Sequence, residues 1–225
     1  MKRLVLVRHG ESRWNAEQRV QGQACAGLSE RGHAQAKSLA DELARRFAGM
    51  RLVSSDLLRA RQTAETVAGI AGVDVAEDPA VRERSFGRWE GRLLDDIAAD
   101  EPNLWDRWRG GEDVIAEIGG ESAAQLAARV VPALERHAAE TPDGEATVVI
   151  AHGGTIWHGV HGLLGLVQPT LGGVRNTSLT IIGLDDGLRW LDTWNSDGHL
   201  PTDLRRSARR LRGTTGRSAP PAVGH

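Results

Sequence analysis

Arg8-His9-Gly10 follows directly on the apolar run Leu4 to Val7, and His152-Gly153-Gly154 follows directly on Thr147 to Ala151. Each run is short and unbroken, the pattern of a strand buried on both faces of a parallel sheet. In open α/β sheets, ligands bind beyond the carboxyl ends of the strands. Each strand therefore delivers an imidazole and a flexible backbone to the edge where a ligand would sit. Arg8 offers a planar fork of donors matched to phosphate oxygens, and Gly10 lets backbone N–H groups approach an anion closely. A histidine beside a cation at that edge suits a nucleophile facing a phosphorus atom. One such strand end could be a solvated turn; two with the same ending point to an anion site.

A second cation joins them. Arg51 to Ser54 reads as another short strand, ending in Ser-Ser-Asp, and Arg59 lies one helical turn further on. Two guanidinium groups and two imidazoles at one edge make an electropositive pocket with geometry for a tetrahedral anion. Such a pocket stabilises a phosphoryl group in transit, where catalysis is largely positioning plus charge neutralisation. The competing use of Arg59 is an ion pair with Asp56, three residues before it. His158 and His161 lie at i, i+3 on a helix, but no third metal ligand is near in sequence. They read as a partly buried helix face rather than a zinc site.

The elements that would carry these residues alternate between strand and helix. Ser29 to Arg46 is an amphipathic helix with Ser29 as N-cap. Asp56 is expected to cap a helix running to about Ile70, and Val73 to Ala76 is a brief strand ended by Asp78-Pro79. Residues 80–120 read as an irregular insertion with short helices and with Trp89, Trp105 and Trp108 among charges. Glu121 to Ala139 is a long helix that Pro132 should bend or divide. A helix from Thr155 to Leu164 and strands near 178–183 and 188–194 complete the pattern. The alternation predicts a layered α/β sandwich with a mostly parallel sheet.

Composition sets the bounds. The chain has 225 residues, a net charge of −2, 40% hydrophobic and 26% charged residues. That suits one soluble α/β domain and argues against a nucleic-acid protein. The single cysteine, Cys25, excludes an internal disulfide framework and fits a reducing cytoplasm. No apolar run approaches the length of a membrane span, and no membrane partner is expected. Arginines 205, 206, 209, 210, 212 and 217 fall in a stretch from Leu204 onward without acidic residues, which leaves the rest of the chain net acidic. We read residues 1–203 as the domain and 204–225 as a basic, disordered tail, solvated rather than partner-binding.

These residues fall in ordered blocks that resemble the histidine phosphatase superfamily, also called phosphoglycerate mutase-like. Arg8-His9-Gly10-Glu11-Ser12-Arg13-Trp14-Asn15 matches its opening pattern throughout. Further blocks are Ser54-Ser55-Asp56 through Arg59 to Ala64, Glu83 through Gly91, Gly119 to Ser122, and Ala151 to Gly154. The resemblance runs from Arg3 to Asn195, and five ordered blocks are far more specific than one motif. It implies a three-layer α/β/α sandwich with a mostly parallel central sheet, and a metal-independent phosphomonoesterase without cofactor.

The resemblance also assigns roles. His9 would be the nucleophile that becomes a phosphohistidine, and Arg8, Arg59 and His152 the rest of the phosphate pocket. Asn15 would donate from its side-chain amide, with Gln21, Gly22 and the Gly153 backbone among the phosphate contacts. Glu83 would be the proton donor, opposed by an ordinary ion pair with Arg82 or Arg84. The implied substrate is a small phosphorylated metabolite, and the implied assembly a homodimer. Residues 92–118 lack the paired arginines and proline-rich stretch of the mutases, which favours the phosphatase branch. The alternatives are a mutase-type phosphoryl transfer and a non-catalytic phospho-ligand binder. One departure stands out: Cys25-Ala26-Gly27-Leu28-Ser29 replaces the usual Asp-x-Pro-Leu-(Ser/Thr), which should loosen the loop entering the first long helix. Cys25 itself reads as an inert, half-buried thiol.

Overall fold

A computed structural model describes residues 1–24, 26–167 and 170–205. Its centre is a six-stranded sheet built from β1 (Lys2–Arg8), β2 (Arg51–Ser54), β3 (Val75–Glu77), β4 (Ala146–Ala151), β5 (Leu179–Asp185) and β6 (Leu188–Ser196). The spatial order is β3-β2-β4-β1-β5-β6. The pairings from β3 to β1 are parallel, and β5 and β6 add on antiparallel. The sheet is mostly parallel, as the strand–helix alternation implied.

Both faces of β1 and β4 are covered, which is why neither strand alternates in polarity. Leu4, Leu6, Val149 and Ala151 pack on one side with α6 (Ala123–Ala139) and α7 (Gly153–Leu164). Val5, Val7, Val148 and Ile150 pack on the other with α2 (Glu30–Arg46) and α3 (Leu58–Ala71). Three layers result. A third apolar cluster, around Trp89, Ile97 and Ile115, organises the insertion with its short helices α4 (Leu94–Asp100) and α5 (Pro102–Arg109).

Two local expectations change. Asp56 does not cap α3: Leu57 occupies the N-cap without a side-chain bond, and Asp56 instead takes a bidentate ion pair from Arg82. A full ion pair outcompetes a single N–H cap because both partners are charged. Pro132 does not divide α6, which continues through it to Ala139. Proline removes one backbone donor, and the helix is held by its buried face of Leu126, Val130, Ala133 and Leu134 and by a capping box at Ser122 and Gln125.

The last described element is a short helix α8 (Thr202–Arg205). Arg31 and Gln35 of α2 both donate to the Leu204 carbonyl and dock it. Residues 206–225, most of the expected tail, lie outside the described residues, as does Cys25. Among the described residues no helix is long and apolar enough to cross a membrane.

Candidate active site

Register alone brings the two histidines together. Arg8 pairs with Ala151 across β1 and β4, and the His9 N–H donates to the Ala151 carbonyl at 3.0 Å. His9 and His152 are therefore equivalent next residues on adjacent parallel strands. Their ring centroids lie 5.2 Å apart. Both are buried, in the company of Arg59, which is 1% exposed.

The hydrogen bonds fix the state of His9. Its Nδ1 lies 2.6 Å from the Gly10 carbonyl, which can only accept, so Nδ1 carries the proton. Arg59 Nε donates to His9 Nε2 at 3.0 Å, which requires a lone pair there. The ring is neutral, with its free nitrogen turned toward the arginine. Burial, then the charges of Arg59 and Arg8, hold its pKa well below the usual imidazole value. Backbone carbonyls aim Arg59: it donates to Gly22 O at 2.8 Å and to Ala24 O at 3.1 Å. Gly22 stands in the left-handed region, at φ +53°, to present that carbonyl.

His152 is oriented by Ser55, whose Oγ lies 2.9 Å from Nε2. The same oxygen accepts from Leu57 N–H at 3.3 Å. His152 Nδ1 is buried with no partner among the described residues, an atom left for a ligand. Burial, then Arg59, His9 and Arg8, keep this ring neutral as well. Arg8 donates Nη1 to Val174 O at 2.6 Å, while its buried Nε has no partner among the described residues. Burial lowers the Arg8 pKa, and nearby Glu83 raises it. Its guanidinium lies beside Gly153, where a Cβ would stand 3.7 Å from Cζ.

Glu83 reaches the same place from the insertion. Its Oε2 accepts from Gly154 N at 3.0 Å and its Oε1 from Arg84 N at 3.0 Å. The two flanking arginines do not hold it: Arg82 pairs with Asp56, and Arg84 pairs with Asp113. Arg59, in turn, makes no ion pair with Asp56. The competing roles for Glu83 and Arg59 are thus taken by other residues.

Asn15 stands at the rim. Its Oδ1 accepts from Ser12 N at 3.2 Å and from Asn176 Nδ2 at 3.3 Å, so its own amide N–H groups are the end able to donate. Asn176 also donates to the His9 carbonyl at 2.9 Å. Gln21 accepts from Ser12 Oγ at 2.6 Å, one step further out. A cavity of about 590 Å³ opens from Arg8 and Asn15 and is lined further by Trp14, Arg19, Arg175 and Asn176.

Sequence reasoning passed over several contributors. Ser55 orients His152. Thr63 Oγ1 accepts from Gly10 N at 3.1 Å and donates to Arg59 O at 2.8 Å, tying the first motif to α3. Asn176 and Gly154 were also missed. Ser55 and Thr63 lie inside matched blocks, but a hydroxyl between larger neighbours carries no spacing signal. Among the described residues no group of three His, Cys, Asp or Glu side chains is placed to hold a metal ion. His161 is used in packing, with Nδ1 2.7 Å from Trp157 O and its ring 4.0 Å from the Trp157 ring.

Comparison with known proteins shows the family. The family model described as histidine phosphatase superfamily (branch 1) matches residues 4–197. A glucosyl-3-phosphoglycerate phosphatase of Mycobacterium tuberculosis is 36% identical over 222 residues, 90% of this chain and 98% of that one. A metal-independent phosphoserine phosphatase of Arabidopsis thaliana is 35% identical over 88% of this chain and 82% of its own. The solved structure of a mycobacterial glucosyl-3-phosphoglycerate phosphatase with VO3 superposes with a TM-score of 0.78. It is 36% identical and covers 87% of this chain and 100% of that one.

Proposed function

The chain belongs to branch 1 of the histidine phosphatase superfamily and is a phosphoric monoester hydrolase, and from that premise we propose that it works through a phosphohistidine on His9 with Glu83 as proton donor. The observation that carries the reading is the pair of hydrogen bonds on His9, Nδ1 to Gly10 O and Nε2 from Arg59. They leave a neutral ring with one lone pair facing the cations, the state a nitrogen nucleophile needs.

In the first step Nε2 bonds to phosphorus, the ester P–O bond breaks, and the leaving alkoxide takes a proton from Glu83. Arg8 and Arg59 neutralise the phosphoryl oxygens and His152 donates to them from Nδ1, the tautomer this reading requires, with Asn15, Gln21, Gly22 and Gly153 at the rim. In the second step water attacks the phosphohistidine, the Glu83 carboxylate takes its proton, and inorganic phosphate leaves. No metal ion is required, because the guanidinium and imidazole groups supply the charge stabilisation.

The substrate class we favour is a small phosphorylated hydroxy acid, amino acid or glycoside. Its support is the relatives' activities and the cavity beyond Arg8, where Trp14 offers a face for a sugar ring and Arg19 and Arg175, ion-paired with Glu17 and Asp197, line the wall. Cytoplasmic residence, supported by the single cysteine, and a homodimeric assembly complete the reading.

Acid-labile, base-stable phosphate on the peptide containing His9 tests the mechanism. It should appear in a reaction quenched within one turnover, and His9→Ala should abolish both adduct and turnover. Wild-type turnover in His9→Ala would overturn it.

A further inference from the structure

Glu83 stands in a half-buried segment between two arginines, yet among the described residues neither flanking guanidinium pairs with its carboxylate, and Arg8 acts on it through nearby charge. Backbone N–H groups hold it: Arg84 N–H on Oε1 and, across the pocket, the first turn of α7 on Oε2. Gly154 N–H donates to Oε2 at 3.0 Å, and the Thr155 hydroxyl donates to the Arg82 carbonyl at 2.8 Å, pinning the backbone just before Glu83. Arg129 adds a second donor to Arg82 O at 3.1 Å, and Gln23 Nε2 donates to Glu83 O at 3.3 Å.

The approach is closer than any side chain at residue 154 would allow. A Cβ there would stand 2.4 Å from Glu83 Oε1 and 3.2 Å from its Cδ. Gly154 is the second residue of a twelve-residue helix. Alanine would favour that helix over glycine, so helix formation does not explain the glycine. The backbone there is not in the left-handed region that favours glycine either, since Gly154 is absent from the residues with positive φ. The remaining cause is room for the carboxylate.

We propose that Gly154 and Thr155 are positioning residues that seat the Glu83 carboxylate against the phosphate pocket. The bare Cα of Gly154 supplies the space, its N–H supplies the contact, and Thr155 fixes the segment that carries Glu83. This rests on the reading of Glu83 as proton donor for the leaving group. An error of about 1 Å in placing such a group is enough to cost on the order of 10²-fold in rate.

The test compares two leaving groups. An alkyl alcohol needs its proton as the P–O bond breaks, whereas p-nitrophenolate departs without one. Gly154→Ala should lower kcat on 3-phosphoglycerate and other alkyl phosphates by about 10²-fold, within the range of general acid catalysis. It should lower the burst rate on p-nitrophenyl phosphate less than about tenfold, with KM little changed on either. Glu83→Gln should show the same selectivity, and the double variant should be no worse than the worse single one. Thr155→Val, which keeps the shape and removes the hydroxyl, should shift the same ratio by a smaller factor.

Equal losses on both substrates for Gly154→Ala and Thr155→Val would overturn the proposal and leave a structural role. So would unchanged turnover in both. If Glu83→Gln itself shows no selectivity, the proton-donor reading fails, and the seating is then judged by the crystal structure of Gly154→Ala. A carboxylate displaced from the residue 154 N–H supports the seating; one left in place refutes it.

Discussion

Arg59 Nε donates a hydrogen bond to His9 Nε2 at 3.0 Å, so the most buried cation of the pocket rests on the atom that would attack phosphorus. The contact does two things at once. It holds the imidazole neutral at that nitrogen, and it places a guanidinium where the phosphoryl oxygens must arrive.

Arg59 should therefore matter through its fork geometry as well as its charge. Arg59→Ala should leave a measurable enzyme with kcat lowered about 10²–10³-fold, the usual cost of losing one transition-state donor. Arg59→Lys should recover little, because an ammonium cannot donate to His9 Nε2, Gly22 O and Ala24 O together. Steady-state kinetics on one alkyl phosphate decides it. Near-complete recovery by lysine would mean that charge alone is at work.

Ser55 provides a milder test of the second histidine. Removing one neutral hydrogen bond typically costs about 1 kcal/mol, which is roughly a fivefold effect. Ser55→Ala should lower kcat/KM by about five- to tenfold by freeing the His152 ring, with thermal stability little changed. A loss as large as that of His152→Ala would show that the serine does more than orient the imidazole.

A third expectation separates hydrolysis from transfer. Turnover should survive excess EDTA, and added magnesium should change it little. Inorganic phosphate should be released from monoesters without 2,3-bisphosphoglycerate. Interconversion of 3- and 2-phosphoglycerate faster than phosphate release would favour a mutase, and activity lost to chelation and restored by zinc or magnesium would refute metal independence. Vanadate, which can adopt the geometry of the phosphoryl group in transfer, should inhibit competitively.

The sequence showed the pocket more clearly than its supports. His9, Arg59 and His152 were legible because each follows a strand end or a helix start, where spacing translates directly into position. Glu83 was legible through its block alone, since the irregular insertion around it has no period to place it. Ser55, Thr63, Asn176 and Gly154 escaped because their roles depend on contacts between segments far apart in the chain: Asn176 meets the carbonyl of His9, and Gly154 meets Glu83. The Asp56 cap failed for a related reason. A local rule cannot register a distant arginine competing for the same carboxylate.

The buried histidines also set how the fold responds to acid. His9 and His152 have pKa values held well below 6.5, first by burial and then by nearby positive charge. Below pH 6.5 the unfolded chain therefore binds protons that the folded chain refuses. Stability then rises with pH across that window and is lost as pH falls from 6.5 toward the folded values. Each such histidine contributes a slope of about 1.4 kcal/mol per pH unit within the window. His158, pushed down to about 4 by burial and then Arg84, adds its share between pH 6.5 and 4. Urea unfolding at pH 7.5, 6.5 and 5.5 should show wild-type stability falling across the last step. His9→Gln should flatten that step by about 1 kcal/mol, since glutamine takes up no proton in either state and the unfolded histidine is already half protonated at pH 6.5. The same variant is catalytically dead by the proposed mechanism, so the measurement reads the fold alone. A slope that His9→Gln leaves unchanged would mean that the imidazole titrates in the folded pocket as it does in water. The neutral nucleophile inferred from the Gly10 and Arg59 contacts would then be lost in mild acid, at the pH where the pocket was expected to protect it.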